Sequence, residues 1–138
     1  MGNLSDAEYT GKGIGVCVMD TGLFPHIDFA GRIWVFRDFV RGQKQPYDDN
    51  SHGTHVCGII GGDGTASRGR IRGIAPGCGF IALKVLDGLG NGHEKNVNTI
   101  RNINRNIDIK VCAGGNINRL EDIKKLLFAG CLQVILNA

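Results

Sequence analysis

Two groups in this chain are of types that pass protons between them. Asp20 stands in Asp20-Thr21-Gly22 and His52 in His52-Gly53-Thr54-His55, 32 residues apart. A carboxylate that accepts an imidazole Nδ1–H fixes the ring's tautomer and leaves Nε2 to act as a general base. That chemistry needs a nucleophile. The chain holds three serines, Ser5, Ser51 and Ser67. Ser51 adjoins His52 and is expected to cap a helix, Ser67 lies in a loop without an oxyanion-binding pattern, and Ser5 lies in the polar start.

The elements that must carry the pair can be read from the pattern. Residues 13–19 form an apolar, β-branched run without alternation, which predicts a parallel strand buried on both faces and ending at Asp20. Residues 33–36 read as a second strand. Asp48-Asp49-Asn50-Ser51 supplies helix-capping residues, so residues 52–60 read as a helix that Gly61-Gly62 ends. His52 then opens the helix, while His55 is expected to be a hydrogen-bonded structural residue. Residues 80–86 read as a third buried strand and residues 88–92 as an exposed glycine-rich loop. Open α/β sheets place their chemistry at the carboxyl edge of the strands, where Asp20 falls.

With 138 residues there is room for one domain of ordinary size. Glycine is abundant, 22 residues, which implies tight turns and close backbone approaches. A net charge of only +3 without a basic run argues against nucleic acid as a partner, and no apolar stretch is long enough to span a membrane. The five cysteines form no C-x-x-C pair and are flanked by apolar residues. Buried free thiols and no zinc are expected. These, with a start lacking an apolar signal region, predict a cytoplasmic protein.

Composition changes after Gly92. Residues 1–92 carry 19 glycines and residues 93–138 carry 3, while asparagine rises from 3 to 8. The division predicts two segments, 1–92 and 93–138. In the second, Val97, Ile100, Ile103 and Ile107 lie on one helical face. Residues 109–113 read as a strand, Asn118 and Glu121 as a capping box, Ile123, Leu126 and Leu127 as the face of a helix stopped by Gly130, and residues 131–136 as a closing strand. The α-β-α-β order is a piece of a parallel α/β fold.

Four motifs, at residues 13–22, 50–58, 73–76 and 84–88, resemble the subtilisin-like serine proteases in order and spacing, and the leaderless start is similar to the intracellular bacterial members. The resemblance implies a partial parallel sheet of that type, Asp20 as the triad carboxylate, His52 as the general base and a polypeptide substrate. It implies that Gly88, Gly90 and Gly92 lie in a segment that pairs with an extended substrate. It also suggests Asp28 as a calcium ligand, although no further oxygen ligands complete a cage. Cys57, five residues beyond His52, reads as a buried small apolar residue. The family's Gly-Thr-Ser-Met-Ala nucleophile stretch is absent.

Residues 107–137 resemble a fragment of the histidine-biosynthesis (βα)8 barrel isomerases. That resemblance implies a phosphate site at Gly114, Gly115 and Asn116, ahead of a helix N-terminus. A rival reading keeps the whole chain in the protease family, with Ala113-Gly-Gly-Asn116 echoing its oxyanion-binding Ala-Ala-Gly-Asn. The expectation is an α/β chain of protease ancestry, fused to a barrel fragment and lacking its nucleophile. The alternatives are a non-catalytic phosphate- or peptide-binding module and a fragment that does not fold alone.

Overall fold

The computed structural model describes residues 9–106, 112–114 and 119–135. The chain divides into two compact units, Met1–Asn91 and Gly92–Ala138.

The first unit is built on three parallel strands, β1 (Gly15–Asp20), β2 (Ile33–Asp38) and β3 (Gly79–Lys84), in the spatial order β1-β3-β2. The registers Asp20↔Lys84 and Asp38↔Lys84 bring three strand ends to one edge. Helix α1 (His52–Gly61) crosses between β2 and β3, and two short 3₁₀ turns (Ile27–Phe29, Thr65–Ser67) lie in the connections.

Side-chain alternation decides what is covered. In β3, Phe80, Ala82 and Lys84 are buried while Ile81 and Leu83 are half-buried. With Val18, Leu23, Phe29, Phe36, Cys57 and Cys78, Phe80 and Ala82 form the core. The same alternation corrects the expectation for β1. It is not buried on both faces, since Val18 is buried and Cys17 beside it is exposed. Cys17 is thus a free thiol at the surface, unlike Cys57 and Cys78, which are free and buried. On the less covered side Trp34 lies against Gly15 and Gly79, where the register slips between Ile33 and Val35.

Helix α1 buries Gly53, Cys57 and Gly61, a stripe of small residues at four-residue spacing. That stripe lets the helix backbone approach the sheet closely: a Cβ on Gly61 would fall 2.5 Å from Cys78 Sγ and 2.9 Å from the Phe80 ring. The Arg32 guanidinium secures the helix's far end by donating to the Gly61 carbonyl at 2.8 Å and the Cys78 carbonyl at 2.7 Å. A cation bonded to a last-turn carbonyl also suits the helix dipole.

The second unit contains α2 (His93–Asn106), β4 (Cys112–Gly114), α3 (Leu120–Phe128) and β5 (Gln133–Ile135), with β4 and β5 paired in parallel. The α-β-α-β order read from the sequence is present. Ile100, Ala129 and Cys131 are buried, and Asn104 Nδ2 donates to the Ala129 carbonyl at 2.9 Å. Gly130 ends α3 at φ +98°, a conformation that favours glycine. The capping contact ahead of α3 falls one residue later than the pattern suggested: Arg119 N–H donates to Asp122 Oδ2 at 3.1 Å. Asn118 lies outside the described residues.

Candidate active site

Strand β1 delivers Asp20 at the sheet's carboxyl edge, and α1 begins at His52 directly beside it. His52 Nδ1 lies 2.8 Å from Asp20 Oδ1 and 2.9 Å from Oδ2. The Asp20 side chain is 13% exposed and that of His52 61%. A shielded carboxylate therefore holds one ring nitrogen, while the rest of the imidazole faces solvent. Asp20 is itself fixed, because the Thr21 N–H donates to its Oδ1 at 2.6 Å.

Two glycines make this approach possible. Gly22 turns the chain at φ +130°, and a Cβ there would fall 2.2 Å from the Tyr47 carbonyl oxygen. A Cβ on Gly53 would fall 2.2 Å from the Gly22 carbonyl oxygen and 3.2 Å from Asp20 Cβ. Only a hydrogen at both positions lets the first turn of α1 sit on the turn after Asp20.

The four-residue stretch expected to cap α1 does so, but not through Ser51. Ser51 makes no side-chain cap bond and adopts φ 78°. Asp48 does the work instead. Its Oδ1 accepts from Thr21 Oγ1 at 2.9 Å, Asn50 N–H at 3.1 Å and Ser51 N–H at 3.0 Å. Its Oδ2 accepts from Thr54 N–H at 2.9 Å and Thr54 Oγ1 at 2.6 Å. A carboxylate at a helix N-terminus is favoured by the free N–H groups and by the dipole. Burial pushes its pKa up, but the bonds from Thr54, Asn50 and Thr21 outweigh that and hold it below the usual carboxylate range. Thr21 Oγ1 also accepts from the Gly53 N–H at 3.0 Å. Asp48 and Thr21 thus link the Asp20 turn to the His52 helix, a role the sequence reading did not assign to them.

His55 is exposed on α1, and its backbone N–H donates to the Ser51 carbonyl at 3.0 Å. Cys57 is fully buried beneath the pair. Burial, with the Asp20 and Asp48 carboxylates nearby, pushes its thiol up to about 12. Residues 88–91 form a turn closed on Asp87, whose Oδ1 accepts from the Leu89 and Asn91 N–H groups at 2.9 Å each. The Gly88 carbonyl oxygen accepts from Asn50 Nδ2 at 3.0 Å, Gly90 adopts φ +79° and Gly92 precedes α2. Asp28 Oδ1 accepts from the Ala66 N–H at 2.7 Å. Among the described residues no group of three or more His, Cys, Asp or Glu is placed to hold a metal ion. Gly114 ends β4, and Gly115 and Asn116 lie outside the described residues.

Ser67 Oγ is taken up by its own loop, donating to the Gly64 and Ile71 carbonyls and accepting from the Ile71 N–H at 2.8 Å. Ser5 lies outside the described residues. No described helix is long and apolar enough to cross a membrane.

Known proteins resemble this chain in sequence and fold. Residues 11–125 match the Subtilase family. The chain is 49% identical over 83 residues to serine protease AprX of Bacillus subtilis (strain 168), covering 60% of this chain and 19% of that protein. It is 39% identical over 83 residues to thermitase of Thermoactinomyces vulgaris, covering 59% and 29%. Among solved structures it resembles a cold-adapted subtilisin-like serine proteinase, with a TM-score of 0.67 and 26% identity over 95% of this chain and 48% of that one. Sphericase gives 0.59 and 27% over 92% and 46%. The chain thus spans less than a third of these curated relatives and about half of these solved structures. The family match continues well past Gly92, so the (βα)8 barrel resemblance finds no support here. On a match reaching from residue 11 to residue 125, and with a carboxylate–imidazole pair at the carboxyl edge of a parallel sheet, the chain belongs to the subtilase family.

Proposed function

We propose that this chain carries the acid–base half of a serine endopeptidase centre acting on polypeptides. Asp20 orients His52, and His52 Nε2 is the general base for a hydroxyl nucleophile. The observation that carries this is the contact of His52 Nδ1 with both Asp20 oxygens at 2.8 and 2.9 Å, on a side chain otherwise open to solvent. In such a centre the carboxylate holds the tautomer and stabilises the imidazolium formed as the hydroxyl proton is taken. Two of the proteins named above, AprX and the cold-adapted proteinase, are described as a serine protease and a serine proteinase, which supports the polypeptide substrate.

The nucleophile is not one of the chain's three serines. Ser51 is bonded in sequence to His52, and Ser67 is engaged by its own loop. These 138 residues by themselves are a catalytically incomplete form, because losing a triad member leaves only weak residual catalysis. The substrate contacts at Gly88, Gly90 and Gly92 belong to the same proposal. The free thiols Cys17, Cys57 and Cys78 suit a reducing compartment such as the cytoplasm.

A fluorophosphonate probe and a peptide substrate test the reading. The chain is expected to take no label and release no product. Labelling that His52→Ala abolishes would show a working nucleophile and overturn the incompleteness. For the dyad itself, the expected signature is a downfield His52 Nδ1 proton in the NMR spectrum that Asp20→Ala removes.

A further inference from the structure

We propose that Lys84 is a positioning residue for the Asp20–His52 pair, tying the turn that holds Asp20 to the loop that leads into His52. The inference rests on the reading of that pair as catalytic.

Lys84 ends β3 and is the one charged side chain fully buried among the described residues, at 0% exposure. A buried ammonium is tolerated only when its donors are satisfied. Lys84 Nζ has three, and each goes to a different segment. One reaches the Thr21 carbonyl at 2.5 Å, in the turn after Asp20. One reaches Asp49 Oδ1 at 2.6 Å, three residues before His52. The third reaches the Leu86 carbonyl at 3.0 Å, where the chain leaves β3. The ammonium also lies 5.0 Å from the centre of the Tyr47 ring, a favourable cation–π distance.

These acceptors converge on the dyad. The residue whose carbonyl Lys84 holds, Thr21, donates its own N–H to Asp20 Oδ1. The exit of β3 is anchored to the same residue, since the Val85 and Leu86 N–H groups both donate to the Asp20 carbonyl at 3.0 and 3.2 Å. Asp49 sits beside Asp48, whose carboxylate closes the first turn of α1. Both partners of the dyad are therefore fixed against one buried cation. Catalytic pairs need placement to within about 0.5 Å, and a three-way anchor on a strand end supplies that. Asp49 has a second partner on its solvent side, Arg41, whose guanidinium is 3.5 Å from Oδ2. That exposed contact provides a control.

The test uses the whole chain with its histidines labelled with nitrogen-15. The readout is water exchange of the His52 Nδ1 proton, assigned by its loss in Asp20→Ala. In Lys84→Met, with the fold checked by circular dichroism, exchange is expected to be faster by about tenfold, the ratio that loss of one charge-assisted hydrogen bond gives. Asp49→Ala is expected to act in the same direction, and Arg41→Ala to leave exchange unchanged. A merely structural lysine would lower the melting temperature while the His52 resonance of the folded variant stayed as in the wild type; that result overturns the proposal. Should Lys84→Met not fold, Asp49→Ala decides, because Asp49 is partly exposed and Lys84 Nζ keeps the Thr21 and Leu86 carbonyls as acceptors. Arg41→Ala matching Asp49→Ala would also overturn it, by showing loop disorder rather than the lysine anchor. A wild-type chain without any Asp20-dependent resonance would overturn the catalytic reading itself, before Lys84 is reached.

Discussion

Gly53→Ala is the most discriminating single change. Helix propensity alone favours it, because glycine inside a helix is less stable than alanine by about 0.5–1 kcal/mol. Here the added methyl would lie 2.2 Å from the Gly22 carbonyl oxygen, whereas real contacts of this kind essentially never fall below 3.0 Å. The helix start must retreat by about 0.8 Å, and the obstacle is backbone, so no side chain can swing aside. Moving His52 that far would lengthen its 2.8 Å contact with Asp20 to about 3.6 Å, beyond hydrogen bonding. Overpacking of this kind costs about 1–3 kcal/mol, so the net expectation is destabilisation by up to about 2 kcal/mol. Gly58→Ala in the same helix is the matched control, since nothing lies within 4 Å of its Cβ position. That variant is expected to gain about 0.5–1 kcal/mol. Urea unfolding of both variants, with the His52 Nδ1 proton followed by NMR, checks the pair. If Gly53→Ala is as stabilising as Gly58→Ala and keeps the His52 resonance, close packing of α1 on the Asp20 turn is refuted.

Asp48→Ala removes the acceptor for five donors at the start of α1 and is expected to cost about 2–4 kcal/mol in urea unfolding, with Asp48→Asn intermediate because it keeps one oxygen. Asp38 sits at about 2: its burial works against ionisation, but bonds from the Arg41, Val40 and Gln43 N–H groups and the Tyr47 hydroxyl dominate. With its folded pKa below the unfolded value, its stabilisation is full above about pH 4 and is lost as pH falls towards 2, which an acid titration of the melting temperature measures. Tyr47 is raised to about 12, by burial first and then by Asp38, so the same contact is full below about pH 10 and is lost as pH climbs towards 12. In native labelling with a thiol reagent at pH 8, mapped by peptide mass, Cys17 is expected to react because it is exposed, although partial burial raises its pKa too, while the buried Cys57 and Cys78 react only on unfolding.

The sequence alone was enough to single out Asp20 and His52, which the fold brings into contact, and to place their elements. Asp20 and His52, framed by Gly22 and Gly53, are local signals: a strand end, a helix start and residues without side chains where two backbones must touch. Amphipathic periodicity likewise located α2 and α3, and the run at residues 80–86 located β3. What the sequence could not supply was anything that depends on which segments meet. An apolar run does not say whether one face or two will be covered, so the exposure of Cys17 was missed. A capping residue is chosen by where its side chain finds N–H groups, so Asp48 rather than the adjacent Ser51 holds α1. The clearest case is Lys84. A lysine within an apolar strand signals that something must pair with it, because an unpaired buried charge is prohibitively costly. Its partners, Thr21, Asp49 and Leu86, are 63, 35 and 2 residues away along the chain; the parallel pairing of β1 and β3 brings the Thr21 turn to the ammonium, and Asp49 reaches it from the connection between β2 and α1.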